Sequence, residues 1–126
     1  MLARCDIIAF IATAHPERAR VFYSEVLGLP LLEDTPFALV FDANGTMLRI
    51  QKVETLTQVG YTTLGWHVGD IREAVGVLGS RGILFERYPD LPQDEQGIWT
   101  TPEGNNIAWF TDPDGNILSL SEIRRN

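Results

Sequence analysis

The stretch WFTDPDGNILSLSE, Trp109 to Glu122, holds the first residues whose spacing suggests chemistry. A DPDG turn divides two runs with strand character, and in the second run Leu118 and Leu120 alternate with Ser119 and Ser121. Successive side chains of a strand point to opposite faces, so the leucines belong to a core while the serines share another, hydroxylic surface. Hydroxyls on such a surface can hydrogen-bond a ligand or ordered water. Trp109 and Ile107 alternate in the same way against Ala108 and Phe110. If the latter pair packs on a helix, Trp109 is a stacking surface; otherwise it is core or an interface contact. Arg49 offers a fork of donors to carboxylate, phosphate or carbonyl oxygen, or else pairs with Asp42 or Glu54. His67 is of the type that serves as a general base or ligand contact, or as a hydrogen-bonded strand histidine. His15, ahead of Pro16, suits a capping or solvent role. Trp66 has the parity of core residues, and Trp99 either closes over a ligand or joins an interface.

These residues need strands to position them. DIIAFIAT, Asp6 to Thr13, is β-branched and aromatic and predicts a strand that carries Ile8 and Phe10 on one face. HPERARVFYSEVLG predicts a helix, with Pro16 in its first turn, apolar residues at 3.6 spacing and Gly28 at its end. PFALVFDANGTMLRIQKV predicts two strands around Asn44-Gly45, a dipeptide that favours a tight hairpin; Arg49 and Gln51 lie on the second strand. TTLGWHVGD predicts another strand, with Thr63, Gly65 and His67 on one parity. Asp70 and Glu73 start a helix that ends at Gly82. ILFERY, GIWTTP, NNIAWFTD and ILSLSEI are strand candidates joined by turn-rich segments, and DPDG fits a type I turn. Each half therefore runs strand, helix, further strands. The expected fold is α+β, a single domain over 1–126, with one βαβββ module at about 1–56 and a second at about 57–126. Each helix covers one face of its sheet and leaves the other face free.

Composition narrows the function. Seventeen acidic residues against ten basic ones give a net charge of −7, and the basic residues are scattered, which argues against nucleic acid. No apolar run approaches the roughly 18 residues of a membrane helix, and MLARCDIIAF lacks a signal-peptide layout. The single cysteine, Cys5, has no internal disulfide partner, which suits a reducing compartment. These features lead us to expect a cytoplasmic protein.

ERARVFYSEVLGL after a first strand, V-x-D at the start of a second helix and DPDGN before a last strand resemble the vicinal oxygen chelate superfamily. That superfamily includes glyoxalase I, extradiol dioxygenases, and fosfomycin and bleomycin resistance proteins, and the likeness spans nearly the whole chain. It implies paired βαβββ modules that form a curved sheet with a cleft, a homodimer, and either a metal-dependent enzyme or a protein that only binds drugs. In its metal enzymes, His, Gln or Glu side chains hold a divalent ion. The matching positions here fall at Ile8, Arg49, Thr63 and Ser119. None is a good ligand for such an ion. Sliding the strands by two residues brings in Phe10, Gln51, Gly65 and Ser121, which also fail to make a metal site.

The expectation is thus a metal-free, cofactor-free binder of a small organic molecule, bleomycin-resistance-like, with no catalytic residues assigned. Ile8, Phe10, Arg49, Gln51, Thr63, His67, Trp109, Ser119 and Ser121 are its expected contacts. The alternatives are a glyoxalase-like lyase, isomerase or dioxygenase with atypical metal ligands, a metal-free catalyst using His67, and a pure interaction module.

Overall fold

A computed structural model describes residues 1–124 of the chain. It separates into two compact units, 1–58 and 59–126, with the same element order. After a short 3-10 turn at Leu2–Arg4, the first unit contains β1 (Ile8–Thr13), α1 (Pro16–Val21), β2 (Leu31–Asp34), β3 (Ala38–Ala43) and β4 (Thr46–Lys52). The second contains β5 (Thr62–His67), α2 (Ile71–Ser80), β6 (Trp99–Thr100), β7 (Asn106–Thr111) and β8 (Ile117–Glu122). The sheet orders, β1-β4-β3-β2 and β5-β8-β7-β6, are equivalent. In each, the first strand runs parallel to the last and the remaining pairs are antiparallel. The fold is α+β, built of two βαβββ modules. No helix among the described residues is long and apolar enough to cross a membrane.

Local chemistry explains several of these elements. Asn44 and Gly45 take positive φ values of 52° and 91°, the pair of left-handed residues that a two-residue hairpin needs. The Asp42 carboxylate accepts the Gly45 N–H at 2.8 Å and so is spent on the turn. At the start of α2 the Asp70 carboxylate accepts the Glu73 N–H, as D-x-x-E predicts. A second free N–H, that of Ile71, donates to Glu122 Oε2 at 3.0 Å, so β8 also caps the helix. In the DPDGN turn Asp112 Oδ1 accepts the N–H groups of Asp114 and Asn116, and Gly115 N–H closes the turn on the Asp112 carbonyl.

Two sequence expectations change, and one strand appears that the sequence does not predict. The helix at 16 is regular only to Val21; a π turn, Phe22–Val26, completes it and seats Tyr23 against Phe41 of β3 at 5.9 Å between ring centroids. LLED, which has no alternation because all four residues are exposed, pairs as β2. The ILFERY run is not a ladder strand. It makes one sheet-like bond, Glu86 N–H to the Trp109 carbonyl at 2.7 Å, beyond the point where the two-residue β6 leaves the β7 edge.

Each sheet has one face closed by apolar packing. In the first unit Leu39, Phe41, Leu48, Ile50 and Ile11 are buried with Ala19, Phe22 and Tyr23 of the helical segment. In the second, Ala108, Phe110, Leu118 and Leu120 are buried with Ile71 and Val75 of α2. Trp66 stacks on Phe110 at 6.5 Å on this side, the core position its parity predicts.

Candidate functional site

Strand register defines what the helix-free face of the second unit presents. Gly65, Ser119 and Trp109 form one row across β5, β8 and β7, and His67, Ser121, Ile107 and Trp99 form the next across β5 to β6. The alternation in ILSLSE is therefore real, and Ser119 and Ser121 lie opposite the leucine core. Ser119 is nevertheless buried. A Cβ built on Gly65 would come within 2.5 Å of the Ser119 Oγ, so this hydroxyl fills the space that the glycine leaves.

Thr63 does not take the place its parity implies. A bulge between Thr62 and Leu64 sets Thr62 opposite Ile117, in the series that continues through Ser119 and Ser121. The extra residue, Thr63, donates its hydroxyl to the Ile117 carbonyl at 3.1 Å. Thr62 instead accepts a hydrogen bond from Trp109 Nε1 at 3.1 Å. Trp109 is on β7 and Thr62 on β5, with β8 between them, so the indole spans the central strand. Along this crossing β8 carries Ser119 opposite Trp109 and Ile117 opposite Thr62.

Two further rings complete an aromatic cluster. Trp99 stacks on Trp109 with centroids 6.1 Å apart and planes 25° from parallel. Tyr88 meets Trp109 edge-on at 5.3 Å and 83°. Both geometries are favourable for aromatic pairs. Burial raises the Tyr88 phenol pKa, and the nearby Glu86 carboxylate adds to the shift, so this ring stays neutral through the physiological range. His67, at the exposed end of β5, lies beside Ser121 in the register. Trp99 thus joins the face at a place the sequence left open. Tyr88 and Thr62 were missed, and the only sequence hint of Tyr88 was the turn-rich loop that follows it.

In the first unit Phe10 lies opposite Arg49 in the β1–β4 register, Val40 flanks Arg49 on β3, and Ile8 pairs with Met47. Gln51 lies opposite Ala12 on one side and Ala38 on the other. Ile8, Phe10, Met47 and Gln51 are exposed and Arg49 is half-buried. Among the described residues of this unit no carboxylate pairs with Arg49: Asp42 is bound to the hairpin, and Asp34 takes the Lys52 ammonium at 2.5 Å. The guanidinium donors are left for something other than a neighbouring side chain.

The metal chemistry of this architecture does not fit these residues. Of the places where donors are expected, Ile8 has none, Arg49 is a cation, Thr63 has committed its hydroxyl to the backbone, and Ser119 offers a neutral hydroxyl. Divalent ions at such sites need imidazole, thiolate or carboxylate. Among the described residues no three His, Cys, Asp or Glu side chains converge.

Two βαβββ modules, each with one helix-covered face and one free face, define a class of α+β proteins that hosts both enzymes and binders. The family model for the Glyoxalase/Bleomycin resistance protein/Dioxygenase superfamily matches residues 4–120, and the chain belongs to that superfamily. Among solved structures it resembles a superfamily member from Sphaerobacter thermophilus at 25% identity and TM-score 0.74, covering 98% of this chain and 100% of the other. It also resembles TnmS3, an antibiotic binding protein from a Streptomyces species, at 22% identity and TM-score 0.68, covering 96% and 98%. A lactoylglutathione lyase from Agrobacterium tumefaciens shares the fold at 18% identity and TM-score 0.69, covering 94% and 93%. No curated protein matches the sequence.

Proposed function

We propose that this protein binds a small organic molecule without a metal ion and does not transform it. The observation that carries the reading is the Tyr88–Trp109–Trp99 cluster, fixed on a sheet face where Gly65, Ser119 and Ser121 are neighbours and His67 is the one imidazole in the adjoining row. With its N–H spent on Thr62, Trp109 presents a π surface whose orientation is set before a ligand arrives. A flat, partly apolar compound gains stacking area there at little conformational cost. Ser121 and His67 supply hydrogen-bonding groups at the border. On the first unit, Ile8, Phe10 and Gln51 surround an unpaired Arg49 that suits a carbonyl or anionic oxygen. The printed description of TnmS3 as antibiotic binding supports a binder, and sequestration of a drug or toxic metabolite is the role we propose. A cytoplasmic homodimer belongs to the same proposal, supported by the exposure of Ile7, Phe10 and Phe37.

Mass spectrometry of small molecules retained by the purified protein tests the reading. We expect a planar compound, and Trp109→Ala should weaken its binding roughly tenfold or more. Elemental analysis and zinc, nickel, manganese and iron(II) titration should find no stoichiometric ion. One tightly held ion per chain, removable with loss of turnover, would establish an enzyme instead.

A further inference from the structure

The residues between Tyr88 and Trp99 have no helix or strand of their own, yet they place both rings that flank Trp109. Two adjacent side chains account for this. The Gln93 amide bridges the two ends of the loop: its Oε1 accepts the Tyr88 N–H at 2.6 Å, and its Nε2 donates to the carbonyls of Glu86 and Gly97, both at 2.9 Å. All the ordinary hydrogen-bonding roles of a primary amide except one acceptor are thereby used. Asp94 ties the second end and fastens the loop to α2. Its Oδ1 accepts the N–H groups of Gln96 and Ile98 at 2.9 Å each, and its Oδ2 accepts from the Arg72 guanidinium at 3.0 Å. Its backbone N–H donates to the Ile98 carbonyl, and its own carbonyl takes Arg87 Nη1 and the Gly97 N–H. Arg87 Nη2 reaches the Glu95 carbonyl at 2.6 Å, and the Gln96 amide oxygen accepts from Arg72 at 2.9 Å.

We propose that Gln93 and Asp94 form a buckle that positions Tyr88 and Trp99 against Trp109, and that the affinity of this face for a planar ligand depends on it. Neither residue touches the rings by ring contact; they act through the two chain ends. Gln93 is the more demanding of the pair because it bonds both ends at once, across Tyr88 on one side and Gly97 on the other. A carboxylate in its place could accept the Tyr88 N–H but would face two carbonyl oxygens with no proton to donate. Asp94 is more tolerant, because an amide oxygen there still accepts from Gln96 and Ile98; the amide nitrogen gives up both the hydrogen bond and the charge pairing with Arg72, which Gln96 still holds.

The functional half of this proposal rests on the binding reading above, whereas the geometric half does not. The stacked Trp99–Trp109 pair should give an exciton couplet in the circular dichroism of the indole bands, assigned by its loss in Trp99→Phe. Gln93→Ala and Gln93→Glu should each abolish the couplet, Asp94→Ala should reduce it strongly, and Asp94→Asn should retain most of it. Binding of acridine, used as the planar probe at pH 8, should weaken by roughly tenfold in Gln93→Glu, since the ring contacts are lost while the rings remain. Thermal unfolding run alongside shows that each variant is folded, and Asp94→Asn supplies the folded comparison if Gln93→Ala is not. A couplet unchanged in folded Gln93→Glu would overturn the buckle. A couplet that is lost while wild-type protein shows no acridine binding would keep the buckle and count against the stacking surface as the binding site for planar compounds.

Discussion

The helix-free faces of the two sheets share strand order and strand direction, but the β5–β8 pair has a bulge that β1–β4 lacks, and the faces are finished in different ways. On the first, Ile8, Phe10 and Met47 stand exposed, and Arg49 has no carboxylate partner among the described residues of its unit. On the second, Trp109 is hydrogen-bonded across a neighbouring strand, stacked on one side and met edge-on at another. The same backbone thus carries one adaptable surface and one that is already ordered. Ordering side chains on binding costs about 0.5–1.5 kcal/mol for each rotamer-rich group, so contacts on the second face convert more of their area into affinity. The central strands differ on this face: β8 carries Ile117, Ser119 and Ser121, whereas β4, the equivalent strand of the first sheet, carries Met47, Arg49 and Gln51.

The hardest test of this contrast uses neighbours on β7 that point to opposite faces. Phe110→Ala should cost about 3–5 kcal/mol in chemical denaturation, because Phe110 is fully buried against Trp66 and Phe85. Trp109→Ala should cost clearly less stability while removing ligand affinity; equal destabilisation by both would make Trp109 an ordinary core residue. A finer probe is Thr62→Val, which removes the acceptor for the indole N–H and should cost about 1 kcal/mol. Tryptophan emission and quenching by acrylamide would then report a looser ring, and an unchanged spectrum would show that packing alone holds it.

Acid provides a reversible perturbation of the second face. Burial pushes the Asp94 carboxyl pKa up, but the N–H groups of Ile98 and Gln96 and the Arg72 guanidinium outweigh this and hold it below the ordinary 3.8. A carboxyl whose folded pKa is lowered contributes stability above its unfolded pKa and loses that contribution as pH falls through the folded value. Arg72 and Arg87 are the basic groups bonded to Asp94, and Glu95 is the adjacent acidic residue. The Trp99–Trp109 couplet should therefore be flat from neutral pH down to the ordinary carboxylate value and fade only below it; fading already at pH 6 would implicate another group. The smallest effect on stability is expected at Arg49. Arg49→Met should change unfolding by less than about 0.5 kcal/mol, as no ion pair within its unit is broken. Affinity should fall selectively for ligands with an anionic or carbonyl oxygen, and equal loss for all ligands would indicate a structural arginine.

Features set by a few consecutive residues were legible in the sequence. Asn44-Gly45 specified the hairpin through its left-handed φ values, Asp70 specified the helix start through its carboxylate, and ILSLSE specified two faces through the period of a strand. The resemblance carried by ERARVFYSEVLGL and DPDGN correctly indicated the superfamily. With the matched positions at Ile8, Arg49, Thr63 and Ser119, the sequence led to the expectation of no conventional donor set. Tertiary structure decided the rest. One extra residue in β5 exchanged Thr62 for Thr63, since parity beyond a bulge depends on the partner strand and not on the strand's own residues. Ser119 proved to be buried beside Gly65, and the strand order β5-β8-β7 lets the indole of Trp109 reach Thr62, 47 residues away in sequence. Trp99 met Trp109 from the short strand β6, and Tyr88 did so from a segment with no periodicity to read, fixed by side-chain bonds whose partners only the folded chain brings together.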